Sequence, residues 1–459
     1  MRIPRIQLDF WGHAALFSLY LGTVSVFGNL SRIAPGVASA ALLGWLGLTW
    51  AWAAWALLKM PRIPLPGVLL LVLGLLPYGY FIFLYTTGQP LVGAFSYFYK
   101  FAPLLLFPAL YRWCLHHNDT WIERTLLILA TVIALRTLIA FVIPGVFPGR
   151  SGSGAASLWD DVVIYEKIGP LARVFYPGVA LVFWGLVMSV DRALTRGMGV
   201  RLEVARALMF LAALGVSLTR GFLLTTFALL ALYIAGRWVT THVTVQRRFR
   251  ALLSAALLVL AAAVGLATTP AGLAVGRTVE QYSGQERFSL DTKNIDWRAE
   301  QAQLAFTLIQ SSEQRWLGIG TNVSIPEDIK SPNPWEVTNE LHYSYHSIQW
   351  TFGYLGLTLL TAGGLALPAL TALRWRLRST LALSLGLTLV FIAVIGSYTI
   401  VFTNADWNFM MTLCGAFLLA RSRQAAARTY AAARSPFLLP QPEGHFTLPP
   451  VPAPRRPVP

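Results

Sequence analysis

An all-α fold of about twelve membrane-crossing helices is what this sequence predicts. Three observations carry that expectation: the composition, the gathering of apolar residues into long blocks, and the placement of the basic residues. Of 459 residues, 56% are hydrophobic and only 12% charged, and the mean hydropathy is +0.58. Soluble domains carry roughly a quarter charged residues, so an ordinary soluble protein is excluded. Length alone would suggest about three soluble domains, but blocks of about 20 apolar residues match the hydrocarbon thickness of a bilayer. They predict one helical bundle in lipid.

The formal net charge is +16 and the isoelectric point about 10.2. In a soluble chain this would suggest a nucleic-acid partner. Here the positions of the cations explain the sign, and no nucleic acid is expected. Cys114 and Cys414 lie far apart in or beside apolar blocks, which supports neither a disulfide framework nor a thiolate metal site. The first apolar block follows Met1 to Asp9 and runs to about Asn29. It is too long for the apolar region of a signal peptide and reads as the first span.

Apolar runs between charges and turn residues predict helices at roughly 10–30, 37–58, 67–86, 96–115, 125–147, 171–190, 202–219, 221–236, 251–270, 348–372, 379–402 and 406–420. Cytoplasmic flanks collect Lys and Arg. With the N-terminus inside, about two thirds of the basic residues fall on that side. Of the acids, only Asp9, Asp119, Glu123, Asp191, Glu203 and Glu443 fall there. Both termini are therefore expected in the cytoplasm. The chain divides into helices one to nine (1–270), a polar insert (271–345), helices ten to twelve (346–420) and a cytoplasmic tail (421–459) whose Pro-rich end reads as extended.

The insert lies on the outer side, and a long loop in a compact protein is usually functional or disordered. Its segment DWRAEQAQLAFTLI has helical spacing after a potential cap at Asp296. A shorter outer segment at about 148–170 contains Arg150, Asp160, Asp161 and Lys167.

Several residues are costly where they stand. Helices seven and eight meet at Thr219-Arg220-Gly221, which leaves Arg220 at the outer boundary. Its guanidinium suits an anionic ligand through bidentate contacts; snorkelling to the head groups is the alternative. Lys100 and Arg136 lie inside spans, where a central cation costs about 2.5 to 3.5 kcal/mol on insertion scales. Lys100 is near the outer end of its span and can line the same pocket as Arg220. Arg136 is nearer mid-membrane, where pairing with another helix competes with ligand contact. In the insert, Arg298 follows Trp297, and Gly318 and Gly320 in RWLGIGTN allow a tight backbone path that can approach a phosphate or sugar; a plain turn is the alternative. His342 and His346 are four apart at the entry to the tenth span and share a face if helical. Interfacial anchoring, metal binding and general-base catalysis are the competing readings. The metal reading is weak because a metalloprotease helix needs Glu after its first His, and Tyr343 stands there. A neutral imidazole suits abstraction of a proton from a sugar hydroxyl.

These residues resemble the O-antigen ligases and, more broadly, the related O-antigen polymerases and protein O-oligosaccharyltransferases. That family is similar in carrying His, then Asn, Ser or Gln, nine residues and Gly-x-x-Gly at a periplasmic helix. In this chain His342 is followed by Tyr343, nine residues and Gly353-Tyr-Leu-Gly356. The spacing agrees and the second position departs; His346-Ser347 has the dipeptide but the wrong spacing. LTRG around Arg220 resembles the family's Ser/Thr-Arg-Gly hairpin, and WRAEQAQLAFTLI before LGIG resembles its loop helix before a Gly-x-Gly turn. The likeness covers most of 200–420; the first 200 residues share topology alone.

The resemblance implies a multispanning glycosyltransferase of the GT-C type in a bacterial inner membrane, working at the periplasmic face without metal or cofactor. Its partners would be O-antigen on undecaprenyl pyrophosphate as donor and lipid A-core oligosaccharide as acceptor, and its product lipopolysaccharide. His342 would be the catalytic base, with Arg220 and Arg298 on the diphosphate. Lys100, Arg150, Gly318, Gly320 and His346 would bind diphosphate or glycan. A polymerase, a protein O-oligosaccharyltransferase, or a lipid-linked sugar transporter or flippase using Lys100 and Arg136 are the alternatives.

Overall fold

A computed structural model describes residues 35–60, 62–88, 92–143, 150–151, 164–168, 171–195, 199–216, 220–240, 300–320, 341, 343–375, 377, 379–399 and 401–434. The expected spans at about 10–30 and 251–270, His342, Arg298, most of the 271–345 insert and the Pro-rich stretch from 435 lie outside the described residues.

The described chain is helical apart from one small sheet. Helices α1 (Pro35–Leu58), α2 (Leu65–Thr86), α3 (Val92–Leu105), α4 (Phe107–His116) and α5 (Asp119–Val142) come first. Strands β1 (Arg150–Ser151), β2 (Ile164–Ile168) and β3 (Leu171–Phe175) follow, in the order β1-β2-β3. Then come α6 (Val179–Thr195), α7 (Val200–Val216), α8 (Arg220–Thr240) and α9 (300–311), the last followed by a 3-10 turn at Glu313–Trp316. Helix α10 (Ser344–Thr358) continues through a π-helical stretch, Leu359–Ala366, into α11 (Leu367–Arg374), and α12 (Thr380–Gly396) and α13 (Ala405–Arg434) close the bundle.

Local chemistry sets the helix ends. Asn118 caps α5 by accepting from the Trp121 N–H at 3.0 Å, and Ser379 caps α12 by accepting from the Ala382 N–H at 3.2 Å. The single helix expected at 96–115 is two: Pro103 interrupts the backbone ladder of α3, and Pro108 starts α4 after Leu106. The segment near 148–170, together with the first residues of the helix expected at 171–190, contributes the small sheet, with β2 antiparallel to β3, and the helix itself starts only at Val179. Helix α13 does not stop near 420 but continues to Arg434, because the Pro-poor run RSRQAAARTYAAAR keeps high helical propensity.

Among the described residues, three helices are long and apolar enough to cross a membrane: Leu65–Thr86, Asp119–Val142 and Ser344–Arg374. At about 1.5 Å per residue, 22 residues reach about 33 Å, enough for a hydrocarbon core of about 30 Å. Helix α5 buries Ile122, Leu126, Leu129 and Ile133 inward, yet exposes Ile128, Val132, Leu135, Ile139 and Val142 along its opposite face. A helix apolar on both faces has no polar side for water.

Helix α6 is central and buried along most of its length, packing on α5, α7 and α12. Phe183 stacks on Phe391 with centroids 4.1 Å apart, and the Trp184 indole donates to Ser384 at 3.0 Å. Helix α13 packs against α3, α4, α11 and α12.

The bundle has two chemically different ends. At one, the guanidinium of Arg192 near the end of α6 donates to Glu123 of α5 and lies 3.4 Å from Glu203 of α7, which also pairs with Arg206 at 3.1 Å. Asp191 accepts from Arg237 of α8 at 2.7 Å and from Tyr233 at 3.0 Å. Arg421 of α13 bonds Asp119 at 2.7 Å and the carbonyls of Cys114 and His117 at 2.8 Å. At the opposite end lie the starts of α6, α8, α10 and α13.

Candidate functional site

The opposite end carries the sequence features singled out above. Arg220 is the first residue of α8, and the next turn is tied to the segment just past α12 by Thr225 and the Tyr398 hydroxyl at 2.7 Å. Asp406, the second residue of α13, is buried, and its carboxylate accepts from the Gly178 N–H just before α6 at 2.7 Å. Two residues on, the amide nitrogen of Asn408 donates to the Lys100 carbonyl at 2.8 Å and to the Phe402 carbonyl at 2.9 Å. Lys100 is itself buried, with its ammonium 5.5 Å from the centre of the Tyr97 ring.

Ser344 fixes the entry of α10. Its hydroxyl donates to the Thr399 carbonyl at 2.6 Å and accepts from the backbone N–H of Val401 and, at 3.3 Å, of Phe402. Tyr345 donates to the Ala393 carbonyl at 3.0 Å. The segment joining α12 to α13 is therefore clamped to the helix that carries His346.

The turn Gly318-Ile319-Gly320 docks on a break in that helix. At Gly353 the backbone takes φ 64°, ψ −162°, a region open mainly to glycine. The break leaves carbonyls of the preceding turn without their usual helical donors. The Ile319 N–H bonds the Trp350 carbonyl at 2.8 Å, and the Gly320 N–H bonds the Thr351 carbonyl at 3.2 Å. Gly318 has φ 82°, and a β-carbon there would lie 2.5 Å from the backbone of Thr351, Phe352 and Gly353; one on Gly353 would lie 2.4 Å from Trp316. The close approach that Gly318 permits is thus to another stretch of backbone. The Tyr80 hydroxyl from α2 donates to the Leu317 carbonyl and packs its ring near Phe352. The Tyr97 hydroxyl is 3.5 Å from Thr351, which joins the Lys100 helix to the same break.

The structure therefore brings Lys100, Gly318, Gly320 and His346 onto connected elements at one end of the bundle. Arg220 starts a helix at that end, and Arg150 belongs to β1, paired with Ile164 of β2. Arg136 is half-buried on α5. Sequence reasoning missed Ser344, Asp406, Asn408 and Tyr80. Asp406 and Asn408 had a local signal, two polar residues in TNADWN at the start of an apolar run. Tyr80 had none, since its partner is some 240 residues away in sequence. Among the described residues no three His, Cys, Asp or Glu side chains form a metal-binding group. No protein-family model matches the chain, and no curated protein matches it either.

Proposed function

We propose that this protein is a membrane-embedded glycosyltransferase of the O-antigen ligase type. It would have about twelve spans, both termini in the cytoplasm of a Gram-negative cell, and its site at the periplasmic face of the inner membrane. The observation that carries the reading is the backbone clasp between the Gly318–Gly320 turn and the helix break at Gly353. These two stretches are among those the family resemblance picks out, and they meet at the end of the bundle where Arg220 and Lys100 also lie. Supporting it, the opposite end holds the ion pairs of Arg192, Arg237 and Arg421, as expected if basic residues were drawn to the cytoplasmic side.

In this reading His342 takes the proton of a hydroxyl on the lipid A-core oligosaccharide. The hydroxyl oxygen bonds the anomeric carbon of the O-antigen from the face opposite the leaving group. The bond from that carbon to the diphosphate oxygen breaks, and the electron pair departs with undecaprenyl pyrophosphate, inverting the anomeric centre. Arg220 and Arg298, with Lys100 and Arg150, oppose the diphosphate charge as it develops.

The test is lipopolysaccharide banding in a ligase-deficient strain supplied with matched donor and core. The wild-type gene is expected to restore a long-chain ladder and His342→Ala to abolish it. Rough lipopolysaccharide with lengthened lipid-linked polymer would replace the ligase reading with a polymerase. Uptake of lipid-linked sugar into vesicles without a new glycosidic bond would replace it with a transporter.

A further inference from the structure

We infer that helix α9 and the turn after it lie in the interface of the lipid bilayer, with the apolar side chains that the protein leaves uncovered facing phospholipid. The inference is independent of the glycosyltransferase reading. The residues of α9 sort into stripes at helical spacing. Gln301, Ala302, Ala305 and Ile309 are buried, and Ala305 and Ile309 pack with Leu341 and with Trp350 of α10. Glu300, Gln303, Thr307 and Ser311, spaced i, i+3, i+7 and i+11, form an exposed polar stripe. The apolar arc is wider than the face that α10 covers: Leu304 and Leu308 stand exposed at one edge of it and Phe306 at the other.

The turn that follows adds to that surface. Trp316 and Leu317 are 62% and 61% exposed, although Ile319 and Gly320, just beyond them, are bonded to the backbone of α10. Large apolar side chains gathered on a surface mark an interaction site. An apolar arc opposed to a polar stripe is the pattern of a helix lying in a membrane interface. Trp316 and Tyr354, with ring centroids 5.7 Å apart, are the residue types that collect at that boundary.

Depth identifies the occupant as the bilayer. Gln310 near the end of α9 donates to the Tyr354 hydroxyl, and Trp316 lies beside the same ring, so the element sits level with Tyr354 on the span Ser344–Arg374. From Tyr354 to Leu373 that span has no charged residue. Those 20 residues rise about 30 Å, the thickness of the hydrocarbon core, and end at Arg374. Tyr354 therefore stands at the hydrocarbon boundary away from the ion pairs. Helix α2 gives the same level independently. Its Tyr80 hydroxyl donates to the Leu317 carbonyl, and the helix continues to Thr86 with Ile82 and Phe83 exposed, so apolar surface extends beyond the level at which Leu317 is held.

The test places a nitroxide, through single cysteine substitutions, on the full chain in nanodiscs of phosphatidylethanolamine and phosphatidylglycerol. It compares collisions with oxygen, which concentrates in lipid, and with a water-soluble nickel chelate. Cys114 and Cys414 are buried, and unsubstituted protein carried through the labelling gives their background. Labels at Leu304→Cys, Leu308→Cys and Leu317→Cys are expected to favour oxygen. A label at Thr307→Cys, on the polar stripe, is expected to favour the chelate, so the collision ratio reverses within one turn of helix. All four positions are exposed, and the labelled proteins should keep the wild-type melting midpoint. Collisions dominated by nickel at Leu304 and Leu308 would put that face in water and overturn the inference. Few collisions with either reagent would mean that protein covers the face, from this chain or a second copy, and would overturn it equally.

Discussion

The backbone N–H of Ile319 meets the carbonyl oxygen of Trp350 at 2.8 Å, although one belongs to a glycine turn and the other to a helix some 30 residues later in the chain. The contact is possible because Gly318 and Gly353 press backbone on backbone with no side chain between them.

Gly318→Ala and Gly353→Ala should each destabilise the protein by about 1 to 3 kcal/mol or more, since both combine a positive φ with a blocked β-carbon position. Gly386→Ala is the control, because α12 has open space there. Alanine favours a helix interior by about 1 kcal/mol. Thermal unfolding in detergent should show two losses and an unchanged or raised midpoint for the control. A Gly318→Ala protein as stable as wild type would disprove the clasp.

Arg192 lies between two carboxylates with its side chain only 10% exposed. Arg192→Met should cost about 3 to 5 kcal/mol by leaving Glu123 and Glu203 without their shared counter-charge. Adding Glu123→Gln and Glu203→Gln should recover much of that loss. A triple variant no better than the single one would show that packing, not unpaired charge, sets the cost.

Removing the Ser344 hydroxyl should loosen the segment between α12 and α13 without unfolding α10. In Ser344→Ala the Val401 and Phe402 amides lose their side-chain acceptor. A hydrogen bond worth about 1 kcal/mol predicts roughly fivefold faster hydrogen exchange at those amides. Unchanged exchange would mean that other contacts hold the segment.

Asn408→Leu should leave the Lys100 and Phe402 carbonyls without their shared donor. The expected loss is about 1 to 3 kcal/mol for buried groups left unsatisfied. Asn408→Gln, which keeps the amide on a longer stem, should recover less than full stability. Equal stability of Asn408→Leu and wild type would mean that the two carbonyls find new partners.

Helix positions were legible in the sequence wherever apolar blocks were long, as at α2, α5 and α12, because lipid and core both demand apolar residues there. The break at Leu106 was less so, since Pro103 and Pro108 occur within an apolar run that composition reads as continuous. The continuation of α13 to Arg434 was obscured by the Pro-rich residues beyond it. Gly318, Gly320 and Lys100 stood out as candidates from type and position, but what each touches did not. A glycine announces that something comes close; only the fold says that at Gly318 the neighbour is Gly353. Ser344 and Tyr80 were invisible for the related reason that ordinary polar residues acquire meaning from distant carbonyls.

The ion pairs at the end opposite the clasp also imply an order of assembly during synthesis. Glu123, Arg192 and Glu203 come from three successive helices, and Asp191 meets Arg237 one helix later. These five residues can neutralise their charges while the second half of the chain is still on the ribosome. Asp119 must wait for Arg421, in the last helix, so truncation before α13 would leave a nascent bundle with its α5–α8 unit closed and its final latch open.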